Sequence, residues 1–103
     1  MEYKLKFEEL EWLEPDTGIR TKSFESSGKQ IRLIELTNEF LHSHWCEVGH
    51  IGYVLEGELE IEFESKLQSY IAGDVIFIPE GAEHKHRPSC KCGLVSFIST
   101  EVL

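Results

Sequence analysis

The sequence predicts an all-β fold, a sandwich or barrel of short strands in a single domain spanning residues 1–103. Three observations carry this expectation. Apolar and polar residues alternate with a period of two along several segments. Turn-forming residues separate those segments at roughly 8–12 residues, the spacing of sandwich and barrel strands. No segment sustains a helical period, and residues 8–14 offer at most one helical turn.

Taken in order, residues 3–10 (YKLKFEEL) alternate bulk with charge and predict a first strand. Pro15-Asp16-Thr17-Gly18 and Ser26-Ser27-Gly28 supply turns. Residues 30–36 (QIRLIEL) are branched and apolar with interleaved charge, the pattern of a half-buried strand. After Gly57, residues 58–63 (ELEIEF) are apolar on one face and acidic on the other. Gly73-Asp74 turns the chain into the apolar run 75–78, and Pro79 ends that strand because it cannot donate to a ladder. Residues 93–98 (GLVSFI) form the last apolar run.

A chain of 103 residues builds one modest core, which dimerisation would support. The net charge of −9 argues against nucleic acid, because phosphate binding needs a basic face. It also argues against anionic membrane surfaces. No apolar run approaches the ~18 residues of a membrane span, and the first residues contain no signal-peptide core. A cytoplasmic location is the resulting expectation. Cys46, Cys90 and Cys92 are odd in number, which fits a reducing compartment better than a disulfide framework. Cys90 and Cys92 share a strand face and read as packing residues.

The chemistry concentrates between residues 42 and 86. All five histidines lie there, His42, His44, His50, His84 and His86, with Cys46 among them. Histidine is the commonest metal-ligating side chain. On a strand, positions 42, 44 and 46 share one face. A metal site is therefore the leading expectation for this stretch.

The spacing of the glycines and prolines carries a resemblance. Gly73, five residues, Pro79-Glu80-Gly81, two residues and His84 follow the second motif of the cupins, small β-barrels of the jelly-roll type. Only the closing Asn departs, with Pro88 in its place. Gly57 closes the first motif, in YVLEGELE. Counting back from it, His50 stands where the family has Glu, Cys46 at the second histidine and His44 at the first. Asn38 replaces the opening Gly and is the next-best residue for a left-handed backbone. The two motifs cover residues 38–57 and 73–88.

The resemblance implies a single cupin-like jelly-roll barrel holding one divalent metal at His44, Cys46, His50 and His84. Three imidazoles and a thiolate suit zinc, iron(II) or nickel rather than magnesium or calcium. A rival register takes His42-x-His44 as the histidine pair, and Glu47 offers a carboxylate in a third. His42 and His86 remain alternates that flank the site. Tyr53, Phe77 and Phe97 are expected to line a substrate pocket, with Phe40 and Trp45 near the first ligand. Arg87 and Lys91 either face an anionic substrate or stand in solvent.

Cupins include dioxygenases, isomerases, epimerases, decarboxylases and binding or regulatory domains, so fold does not settle activity. The expected function is a small metalloenzyme, dioxygenase-like, acting on a small organic molecule. The alternatives are a non-catalytic metal or small-ligand binding module and a metal-free barrel. A homodimer is expected, with the first ~12 residues as a strand that covers a sheet edge or joins the partner's sheet.

Overall fold

Alternation of buried and exposed side chains organises the chain into strands, and the computed structural model describes residues 3–41, 44–91 and 93–103. The described residues form β1 (Leu13–Asp16), β2 (Ile19–Ser26), β3 (Lys29–Thr37), β4 (His50–Glu56), β5 (Glu58–Phe63), β6 (Leu67–Ile71), β7 (Val75–Ile78), β8 (His86–Ser89) and β9 (Leu94–Val102). Two 3-10 turns interrupt them, at Phe7–Glu9 and Ala82–His84. The strands make two antiparallel sheets of jelly-roll type. The larger has the order β1-β2-β3-β9-β4-β7 and the smaller β6-β5-β8. The last strand, β9, thus lies in the middle of the larger sheet, between β3 and β4.

Inward-facing positions follow the period of two. Ile34 and Leu36 of β3, Val54 of β4, Leu59 and Ile61 of β5, Ile76 and Ile78 of β7, and Val95 and Phe97 of β9 build one apolar core. Further along β9 the same face carries Ser99 and Glu101, both buried. The interior is therefore apolar at one end and polar at the other. That polar end is where His50 and His86 arrive.

Turn chemistry fixes the corners. Ser27 and Gly28 both have positive φ, 54° and 75°, the requirement of a tight primed turn between twisted strands. Gly57 has φ 81°, and a Cβ there would stand 2.2 Å from the carbonyl oxygen of Leu94. Only glycine lets β4 turn into β5 so close to β9.

Residues 3–10 form no strand, contrary to the expectation from their alternation. They contain the turn Phe7–Glu9, whose Phe7 carbonyl accepts a hydrogen bond from Lys22 Nζ at 2.9 Å. Trp12 lies beneath the Arg20 guanidinium, 4.1 Å from the ring centroid. Side-chain contacts with the chain's own β2 thus anchor this segment, and the edge of the sheet is taken by β1 instead. Among the described residues no helix is long and apolar enough to cross a membrane.

Candidate metal centre

The centre begins with one backbone pairing. Cys46 N–H donates to the His86 carbonyl at 2.8 Å, and His86 N–H donates to the Cys46 carbonyl at 2.9 Å. In such an antiparallel pair the two side chains leave the backbone on the same side. The Gly81 N–H donates to the Glu47 carbonyl at 3.0 Å, so the Pro79–Gly81 turn is tied to the segment that carries Cys46. Four residues after Cys46, His50 opens β4 on its inward face. The ligand atoms of Cys46, His50 and His86 all lie within 4.8 Å of one another.

This group can hold a metal ion. Zn–S bonds of about 2.3 Å and Zn–N bonds of about 2.0 Å set sulfur and nitrogen about 3.5 Å apart in a tetrahedron. Cys46 Sγ stands 3.8 Å from His50 Nε2, and the two imidazole rings meet edge to face with centroids 4.9 Å apart. His86 is 3% exposed, so its ring is screened from bulk water.

Each imidazole has its other nitrogen fixed. His50 Nδ1 lies 2.8 Å from Glu101 Oε2, and His86 Nδ1 lies 2.9 Å from the His84 carbonyl oxygen. Both acceptors take an N–H, so in the neutral rings the lone pair sits on Nε2. A carboxylate or carbonyl behind the ring is how ligating histidines are oriented.

Glu101 is itself held by four donors. Its carboxylate accepts from His50, from the Ser99 hydroxyl, from Gln30 Nε2 at 2.8 Å and from Arg32 Nε at 3.0 Å. Burial pushes its pKa up, but the bonds from His50, Ser99 and Gln30 and the charge of Arg32 outweigh burial and hold it at about 2. The carboxylate is thus ionised behind His50 at neutral pH. Glu101 is not legible as a site residue in the sequence because the last apolar run ends at residue 98. Glu101 continues the inward parity of Val95, Phe97 and Ser99, and that parity was the available signal.

A cavity of about 440 Å3 opens beside the three side chains. Ile34, Leu36, Leu59, Ile61, Ile76, Ile78 and Phe97 give it apolar walls, and Arg32 and Ser99 lie on the same lining. Phe97 and Phe40 also line it. His44 also lines it, from an exposed position.

The remaining candidates fall elsewhere. His84 ends the turn Ala82–His84 with its ring 40% exposed, 3.8 Å from Glu83, and stands outside the group that Cys46, His50 and His86 form. The extended backbone starts two residues later, so His86 occupies the place that motif spacing gave to His84. His42 and Cys92 lie outside the described residues. Tyr53 and Phe77 are 45% and 68% exposed. His50, Gly52 and Val54 take the inward parity of β4, which turns Ile51 and Tyr53 outward, and Phe77 of β7, paired with Ile51, faces the same way. Arg87 pairs with Glu62 at 2.9 Å and stacks on Trp45 at 4.3 Å. Lys91 is exposed, 3.7 Å from Glu60. Cys90 is buried in the core.

Residues 37–89 match the cupin domain family, a span that contains all three side chains of the centre. The chain belongs to the cupin family. No curated protein matches it. Among solved structures, this cupin is similar to an RmlC-like cupin from Shewanella frigidimarina, with 19% identity over 99% of this chain and 91% of that one and a TM-score of 0.80. A second similar structure is described as a sugar phosphate isomerase from a cupin superfamily of Silicibacter pomeroyi, 17% identical over 97% of this chain and 75% of that one, TM-score 0.77. A third is a putative ethanolamine utilization protein from Salmonella typhimurium, 24% identical over 82% of this chain and 68% of that one, TM-score 0.69. At these identities the likeness is one of fold.

Proposed function

We propose that this cupin is a small metalloenzyme in which Cys46, His50 and His86 hold one divalent transition metal against a cavity for a small organic substrate. The observation that supports this most is the fixing of both Nδ1 atoms by Glu101 and by the His84 carbonyl, which leaves Nε2 as the ligating nitrogen in each ring. A thiolate with two imidazoles favours zinc, iron(II) or nickel. Three protein donors leave at least one position for water or substrate, the arrangement of catalytic rather than structural sites. His44, on the cavity rim, is the proposed further donor.

A metal bound here would supply a Lewis acid and a template for substrate, and iron(II) with open positions would also take dioxygen, as oxygenase chemistry requires. The chain's own residues do the rest. Glu101 orients His50, and Ser99, Gln30 and Arg32 orient Glu101. The apolar walls exclude water from the side where substrate binds. Those walls also speak against a polyhydroxylated ligand such as the sugar phosphate named for the Silicibacter pomeroyi structure, and favour a smaller molecule with an apolar body.

The test is elemental analysis of protein purified without a histidine tag and loaded in turn with zinc, iron(II) and nickel. The expected result is one metal per chain, with most of it lost in Cys46→Ala and His86→Ala. A loaded protein that retains no metal makes the chain a metal-free barrel. A bound metal with no exchangeable water makes it a binding module.

A further inference from the structure

Arg32 lines the same cavity as the three candidate ligands. It lies on β3 directly across from Ser99 on β9, with its side chain 27% exposed. Among the described residues its guanidinium makes one bond, from Nε to Glu101 Oε1 at 3.0 Å. Nη1 and Nη2 have no protein partner there. A part-buried arginine with two open donors in a planar fork is suited to a carboxylate, which it can bind through two parallel bonds.

The charge balance narrows the ligand further. The Arg32 charge is shared with Glu101, so the site offers less than one full positive charge beyond the metal. A monoanion fits that balance better than a phosphate dianion. The acid on the cavity lining, Asp16, sits at the exposed end of β1 with Oδ1 accepting the Thr17 N–H at 2.7 Å. Ile34, Leu36, Ile61 and Phe97 make the facing walls apolar.

We propose that the cavity takes a small monocarboxylic acid with an apolar body, its carboxylate held by the Arg32 fork beside the metal. This names the substrate class for the site proposed above, and rests on that reading only for the metal's part. The test compares phenylacetate with phenylacetamide, which has the same body and no charge, by NMR titration of metal-free and zinc-loaded protein. Wild type should bind phenylacetate at least tenfold more tightly than phenylacetamide. Arg32→Gln should remove that preference in protein that still folds. Should that variant fail to fold, Arg32→Lys, which keeps the charge beside Glu101 without the fork, should weaken phenylacetate several-fold and leave phenylacetamide unchanged. Equal binding of the two probes, no saturable binding of either, or full preference in the variants would overturn the proposal. Discrimination in metal-free protein is read whether or not zinc binds, so the two readings fail separately.

Discussion

Replacing Glu101 by Gln removes one charge and keeps the shape, and the geometry sets what should follow. The carboxylate is 3% exposed and takes bonds from His50, Ser99, Gln30 and Arg32. Its pKa lies at about 2 against an ordinary 4.5, which at about 1.4 kcal/mol per factor of ten corresponds to about 3 kcal/mol of preference for the charged form. Glutamine forfeits that preference and leaves the Arg32 guanidinium without its counter-charge, a change of the order of 3 kcal/mol for a buried pair. The amide can also present N–H to His50 Nδ1, which favours the wrong tautomer. Zinc affinity, measured by chelator competition, should fall 10–100-fold, and urea unfolding of the metal-free protein should show the loss in stability. The acid limb supplies a second readout. Because the folded pKa lies below the unfolded one, the stabilisation is complete above about pH 4.5 and disappears as pH falls toward 2. Metal-free Glu101→Gln should lack that acid-linked loss. A variant with zinc affinity within twofold of wild type and an unchanged acid limb would refute the role assigned to Glu101.

Three further outcomes are expected. His86→Ala should lower zinc affinity more than a hundredfold, whereas His84→Ala, which keeps the backbone carbonyl that His86 uses, should change it less than tenfold in the same competition assay. Cobalt-loaded wild type should show thiolate-to-metal absorption in the near ultraviolet; Cys46→Ser should abolish it, and Cys90→Ser should retain it while lowering the midpoint of thermal unfolding. Gly57→Ala should destabilise the fold by about 2 kcal/mol or more in urea unfolding, from its positive φ and the Leu94 carbonyl in its path, while Gly28→Ala, with open space around it, should cost about 1 kcal/mol.

The fold was legible where alternation and turn chemistry agreed. Residues 58–63 carry apolar side chains on every second position, residues 30–36 interleave charge among branched apolar ones, and both became strands. Residues 19–26 (IRTKSFES) have only two strongly apolar side chains, Ile19 and Phe24, on opposite faces, so β2 gave no alternating signal. Residues 3–10 alternate, yet among the described residues they join no strand, and the Phe7–Glu9 turn is tied to Lys22 of β2 instead. The site was legible in its composition and less so in its geometry. Motif counting singled out Cys46 and His50 and ranked His84 above His86, because spacing alone does not reveal that Ala82–His84 winds as a 3-10 turn and resets the parity. Tyr53 stands three residues from His50, an odd step that turns it away from the cavity. Strand parity alone dictates that orientation.

Cys46, His50 and His86 are proposed to share one metal ion. X-ray absorption at the zinc edge of the zinc-loaded protein tests this most directly. The expected spectrum contains one sulfur at about 2.3 Å and at least two imidazole nitrogens at about 2.0 Å, with the sulfur shell lost in Cys46→Ser and one imidazole lost in His86→Ala. A first shell without sulfur, or one that keeps its full imidazole count in His86→Ala, would contradict the account.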